Sequence, residues 1–342
     1  MASCASLWRK TKDSIRGDKM MEINSRNLRF LSRLGARGVL GQALYDLACE
    51  NQEFFAISAD LSKAAGYDRL ERDYPNLCIN TGIAEQSMIG TAAGLSYTGI
   101  PVYACSWAVF SALRIADQMR NYMGNMNCNI KLIGMDSGLT KSCFGISHAN
   151  PQDIALFRSQ PNVRIIAPSD GISIYKIIRK IQKDKIPTYI RLTGGDTLPI
   201  IYREDMDFPI GKSIEINAGQ DVVILSTGII CSEALKAQEI LAKSGVAVSV
   251  VDCYSLKPFD VEMLSSQQNK KLIVTLEEHS VCGGLGGIVA EYFAGLKNHP
   301  PILSLGIRDE IVSAQTYEEA LKEYGLDAIS IADAVLKKLE NL

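Results

Sequence analysis

A chain of 342 residues, 47% hydrophobic and 22% charged, has the make-up of a soluble globular protein with room for two domains of ordinary size. Its net charge of -2 gives no electrostatic case for nucleic acid or an anionic membrane, and no apolar run reaches the roughly 20 residues a membrane span needs. Nine cysteines without a CxxC pair, and only three histidines, argue against a disulfide framework and a zinc site and fit a reducing cytoplasm.

The first twenty residues carry Arg9, Lys10, Lys12, Arg16 and Lys19 but lack the apolar centre of a secretory signal. They read as a solvated arm, with Met20 and Met21 as a candidate alternative start, and residues 1–34 as an N-terminal extension. Helical periodicity follows over 38–51, where Leu40, Ala43, Leu44 and Leu47 share a face. A buried strand over 54–58 runs into Ala59-Asp60-Leu61. A strand at Ile79, a helix over 84–97, a strand over 100–105, a helix over 107–123 and a strand over 129–135 come next. The turn-rich segment 136–151 precedes a strand at 163–167, a helix after Asp170 and a strand at 188–192. Strands alternating with helices predict a parallel sheet with crossover helices on its faces.

Residues 193–219 mix glycine, proline and acidic residues without a sustained period and mark a domain boundary. A second unit begins at Asp221, with strands at 222–226, 246–252, 271–276 and 301–305 and helices at 231–243 and 331–339. The predicted fold class is α/β: two three-layer α/β/α domains with largely parallel sheets, over 35–200 and 211–342. Gly283-Gly284-Leu285-Gly286-Gly287 sits between a strand and a helix, as a dinucleotide-binding loop would. Counted from Gly284, the sixth position of G-x-G-x-x-G is Val289, so the third glycine is missing.

The chemistry concentrates in Gly82-Ile83-Ala84-Glu85-Gln86. Glu85 stands in the first turn of a helix, where an acid also suits the positive end of the helix dipole without any function. Gly90 and Gly94, one turn apart, would let another backbone approach closely. The five-residue stretch resembles the Gly-Ile-x-Glu-His/Gln signature of the pyrimidine-binding domain of transketolase-like thiamine diphosphate enzymes. In that family the glutamate hydrogen-bonds the aminopyrimidine ring and favours the imino tautomer that takes a proton from the thiazolium carbon. Such chemistry needs a carboxyl group sheltered from water.

Further motifs follow in family order, and the resemblance spans about residues 35 to 340. Ser58-Ala59-Asp60-Leu61 resembles Ser-Ala-Asp-Leu, which implies that Asp60 and Leu61 lie against the cofactor. Ile83 matches a second apolar residue under its bent rings, although Leu61 and Ile83 also read as ordinary core. Cys105-Ser106-Trp107-Ala108-Val109-Phe110 resembles Ser-Thr-Phe-x-x-Phe. That implies Phe110 stacks on the aminopyrimidine and Trp107 forms an apolar wall, against the plainer reading of an aromatic pair in a core. Gly145-Ile146-Ser147-His148 resembles Gly-x-Thr/Ser-His, whose histidine faces the reacting carbonyl; a lone loop histidine is otherwise a solvated side chain. Arg191 matches an arginine that can bind substrate phosphate.

Departures matter as well. Phe144 stands where the family's aspartate contacts sugar hydroxyls, and phenylalanine accepts no such hydrogen bond. No Gly-Asp-Gly motif for magnesium and diphosphate occurs anywhere in the chain. The resemblance therefore implies the C-terminal subunit of a split transketolase, with no metal ligand of its own. A separate N-terminal subunit would hold Mg2+ and the diphosphate, in an α2β2 heterotetramer acting on sugars or sugar phosphates. Transfer of a two-carbon ketol unit from a ketose to an aldehyde is the expected reaction. Competing readings are the β chain of a 2-oxo acid dehydrogenase, a deoxyxylulose-phosphate-synthase-like enzyme and a non-catalytic scaffold.

Overall fold

The computed structural model describes residues 21–342, so the arm expected over residues 1–20 lies outside the described residues. Asn24 caps α1 (Ser25–Cys49), its side chain accepting from the N–H groups of Arg26 and Asn27. The helix kinks at Gly35, where φ is 67° and a Cβ would lie 2.5 Å from the Gly195 carbonyl oxygen. Only glycine meets both demands. The segment before the kink is not a loose extension, because Leu28 and Leu31 are buried in the same core as Leu40, Leu44 and Leu47.

In the first half the strands are β1 (Phe55–Ser58), β2 (Cys78–Asn80), β3 (Val102–Trp107), β4 (Ile130–Met135), β5 (Arg164–Ile166) and β6 (Thr188–Arg191). In the second they are β7 (Ile214–Asn217), β8 (Val222–Ser226), β9 (Val248–Asp252), β10 (Ser255–Lys257), β11 (Leu272–Ser280) and β12 (Ile302–Ile307). The helices after α1 are α2 (Asp68–Asp73), α3 (Glu85–Ser96), α4 (Ala116–Met119), α5 (Asp153–Arg158) and α6 (Gly171–Ile181). They continue with α7 (Cys231–Lys243), α8 (Val261–Ser266), α9 (Leu285–Ala294), α10 (Tyr317–Glu323) and α11 (Ala328–Leu339).

The α/β expectation holds: a seven-stranded sheet in the order β10-β5-β6-β4-β3-β1-β2 and a five-stranded sheet in the order β12-β11-β8-β9-β7. Only β10 and β7, each on an edge, run antiparallel to their neighbours. Strand β10 comes from beyond the expected boundary, so the second half lends a strand to the first sheet. Helices α1 and α6 cover one face of that sheet and α3 the other. The second of these cores continues beneath the smaller sheet, joining Ile57 and Leu132 to Val223, Ile273 and Phe293. Helices α7 and α11 close the far side.

Three local differences bear on function. Strand β7 lies inside the stretch that reads as a structureless boundary; its Ile-Glu-Ile-Asn alternation covers only four residues, too few to stand out as a sustained period. Strand β11 continues through Glu277, Glu278 and His279, all fully buried. The helix expected over 107–123 is broken: β3 runs to Trp107, a π-turn spans Phe110–Arg114, α4 follows, and a second π-turn spans Arg120–Asn125. Such wide turns leave an ordinary apolar pattern in the sequence and collect at functional sites.

Candidate active site

The carboxyl ends of β1 to β4 bring the predicted residues to one edge of the larger sheet. Asn80, at the end of β2, ties two turns together: its Oδ1 accepts from the N–H of Asp60 at 3.0 Å and of Gly82 at 2.9 Å. Its Nδ2 donates to Asp60 Oδ1 at 3.2 Å. Both turns need a positive φ, 59° at Asp60 and 71° at Gly82. This pins Asp60-Leu61 beside Gly82-Ile83. Glu85 then opens α3 and is only 2% exposed. Ser106 Oγ donates to its Oε1 at 3.1 Å, and Arg114 Nη1 donates to its Oε2 at 2.7 Å. A buried acid gripped by two side chains is more than a charge placed against a helix dipole.

Next to it, the π-turn sets Phe110 and Arg114 on one side, with the guanidinium carbon 4.0 Å from the Phe110 ring centroid. His148 meets Phe110 edge-on at 5.5 Å and Phe144 at 5.0 Å between ring centroids. Its Nδ1 lies 2.9 Å from Ser147 Oγ. Trp107 is flanked by Arg37 and Lys141, 5.7 Å and 5.1 Å from its ring. Behind these two cations sits buried Asp136, at 3.6 Å from Arg37 Nε and 3.2 Å from Lys141 Nζ. Burial pushes the Asp136 carboxyl up, and the two cations pull it back.

The site is open on one side. Ile83 is 79% exposed and Phe144 57% exposed, so neither serves as core among the described residues. A Cβ at Gly82, Gly90 or Gly94 would meet nothing within 4 Å. The close backbone approach expected at Gly90 and Gly94 is therefore not made within this chain.

Comparison with known proteins follows the same lines. A model of the transketolase pyrimidine binding domain matches residues 33–197, and one of the transketolase C-terminal domain matches 211–331. The chain is 36% identical to a putative transketolase C-terminal section of Methanocaldococcus jannaschii, over 90% of this chain and 96% of that protein. The chain belongs to the transketolase family. It is also 33% identical to the 6-deoxy-6-sulfo-D-fructose transketolase subunit SqwH of a Clostridium species, over 85% of this chain and 90% of that protein. Among solved structures it is similar to a split gene transketolase, described as an inactive beta4 tetramer, with a TM-score of 0.82 and 35% identity. That likeness covers 90% of this chain and 99% of the other.

Two features of this transketolase chain lie away from the open edge. Arg191, expected to bind phosphate, is wholly buried where the two halves meet. Its Nε pairs with Asp153 at 2.9 Å and its Nη2 donates to the Glu278 carbonyl at 2.7 Å, so it is not brought to His148 or Phe144. The glycine loop is also turned inward at its centre, where Gly284, Leu285 and Gly286 are buried. Glu277 accepts the N–H groups of Leu285 at 2.7 Å and Gly286 at 2.8 Å, the donors a bound phosphate would otherwise use. A Cβ at Gly284 would lie 2.0 Å from Glu277 Oε2, and Arg158 Nη1 reaches across to the Gly283 carbonyl at 2.9 Å. Gly284 and Gly286 wrap the Glu277 carboxylate of the same chain.

Sequence reasoning assigned no role to Asn80, Ser106, Arg114, Arg37 or Lys141. Two of these left a signal: an asparagine two residues before a glycine reads as an Asx turn, and Arg114 follows Phe110 by four residues. Nothing local announces Arg37, which arrives at the site from the kinked helix α1. Among the described residues no group of three or more His, Cys, Asp or Glu is placed to hold a metal ion.

Proposed function

We propose that this chain supplies the aminopyrimidine half of a thiamine diphosphate site that a separate N-terminal subunit completes, and that the assembled enzyme moves a two-carbon ketol unit from a ketose to an aldehyde. The observation that carries this is a finished acid beside an unfinished wall: Glu85 is buried, while Ile83, two residues earlier, is 79% exposed. Apart from Arg114, whose guanidinium lies over the Phe110 ring, the residues present fit a flat heterocycle. Glu85 offers a sheltered carboxyl, Phe110 a half-buried ring, and the Gly82 turn open space for a close approach. Asp60, Leu61, Ile83 and Trp107 would line the same groove.

When bound, the cofactor supplies the carbanion chemistry of ketol transfer. What this chain contributes is orientation and proton handling. Glu85 holds a proton against the ring nitrogen, and Phe110 fixes the ring plane. His148, between two aromatic rings and with Ser147 on Nδ1, is placed to move a proton at a carbonyl oxygen. Phe144 rims the substrate side and disfavours a hydroxyl there. Mg2+ and the diphosphate fall to the partner, in an α2β2 assembly. Its near-full-length match to a C-terminal section favours a split transketolase over the other thiamine enzymes considered. Every cysteine among the described residues is free, and no helix there is long and apolar enough to cross a membrane, in keeping with a cytoplasmic location.

The test is calorimetric titration of thiamine diphosphate and magnesium into the chain alone and into the chain mixed with an N-terminal transketolase subunit. Binding is expected only in the mixture. Tight, magnesium-dependent binding by the chain alone would overturn the proposal.

A further inference from the structure

Arg114 closes the π-turn that Phe110 opens, and the four-residue spacing folds its guanidinium back over the Phe110 ring at 4.0 Å. From there Nη1 donates to Glu85 Oε2 at 2.7 Å, while Ser106 holds Oε1. Both oxygens of the buried acid are thus engaged by the chain's own donors, and the ring face beside it is covered. A guanidinium is flat and delocalised and presents N–H donors along an N–C–N edge. An aminopyrimidine is likewise flat, able to stack on the Phe110 ring and to meet the Glu85 carboxyl through a ring nitrogen at its edge. The two groups suit one seat.

We infer that Arg114 occupies the aminopyrimidine seat in the partner-free chain, and that its side chain must swing out before a ring can stack on Phe110 and meet Glu85. The inference rests on the Glu85–Phe110 reading above. Departure is physically easy. The Arg114 side chain is 44% exposed and its neighbour Leu113 faces solvent, so the guanidinium moves into water rather than through packed core. What holds it is one charge-assisted hydrogen bond and one cation–π contact, both partly open to solvent. Holding Glu85 in this way keeps a buried acid from standing unpaired in the folded chain. Any ring that enters has to exchange for Arg114, so the apparent affinity is lowered by the cost of that exchange.

The experiment measures binding of 4-amino-5-hydroxymethyl-2-methylpyrimidine, the aminopyrimidine fragment alone, to the full chain, and of thiamine diphosphate with magnesium to the complex. Arg114→Ala is expected to tighten fragment binding about 10- to 30-fold and to speed cofactor association with the complex. A residue that merely supports the fold would give no gain in affinity. Arg114→Lys keeps a charge for Glu85 but not the flat cover on Phe110, and should fall between wild type and alanine. If the alanine chain does not fold, Arg114→Gln and Arg114→Lys carry the same measurement. Unchanged or weaker fragment binding in the folded variants overturns the inference. Glu85→Gln and Phe110→Ala are titrated with the cofactor in parallel. If neither weakens binding to the complex, the underlying site reading fails; if both weaken it and no Arg114 variant tightens fragment binding to the chain, only the role of Arg114 falls.

Discussion

The open edge of the larger sheet and the junction between the two halves use the same residue types to opposite ends. Both hold buried acids, arginines, a histidine and glycine turns. At the junction the acids find partners within the chain: Asp153 in Arg191 and Tyr189, Glu278 in Tyr317 and the Leu139 N–H, Glu277 in two N–H groups of the glycine loop, while Arg191 Nη1 and Asp252 Oδ1 stay buried without one. Burial pushes the Glu277 and Glu278 carboxyls up, and these partners pull them back. At the sheet edge, Glu85 is closed only by Ser106 and a half-exposed arginine, with apolar side chains left in solvent around it. A buried charge alone does not mark a site. What marks one is a buried charge next to surface that nothing in the chain covers.

Breaking the junction should have the largest effect. Arg191→Ala leaves Asp153 buried without its cation and should cost about 3–5 kcal/mol of stability, read by denaturant unfolding. Loss of activity at unchanged stability would instead return Arg191 to the substrate. Glu85→Gln tests the open edge. It should lower turnover of the reconstituted complex about 100-fold or more with the unfolding midpoint little changed. Near-normal turnover would make Glu85 a structural acid like those of the junction.

Phe144→Asp sharpens the comparison at the rim. A sugar hydroxyl left unpaired against an apolar ring costs roughly 1–3 kcal/mol, about 5- to 150-fold in specificity. The ratio of kcat/KM for fructose 6-phosphate over a deoxy analogue should therefore rise in the variant complex. If wild type already favours the fully hydroxylated sugar and the ratio stays put, Phe144 only packs on His148.

A pH-dependent effect belongs to Asp252, where Ser169 of the first half and Tyr202 of the boundary stretch donate to a carboxylate of the second. Burial pushes this carboxyl up to about 7, against an ordinary value of 3.8. The folded chain therefore keeps a proton that the unfolded chain gives up above about pH 4. The stability this group contributes is present at low pH and is lost as pH rises towards about 7. Asp252→Asn mimics the protonated acid, so it should be more stable than wild type at pH 8, with the gap closing near pH 4. A gap that does not vary with pH would show that Asp252 stays ionised in the folded chain.

The α/β class, the helix over Cys231–Lys243 and the strands over Phe55–Ser58 and Val222–Ser226 were legible in one dimension, because local periodicity and turn residues report directly on each. The sequence also named most residues of the open edge, since Glu85, Phe110 and His148 lie in short motifs whose spacing survives in one dimension. Tertiary structure alone decided the rest. Arg191 and Arg37 are both arginines beside a glycine-containing stretch, and only folding sends one into the junction and the other to the site. Strand β10 had no pattern of its own, because three residues pairing across domains leave no period to read. The π-turn that lays Arg114 over Phe110 is a matter of one extra residue in a helical turn, and an apolar pattern cannot count that residue.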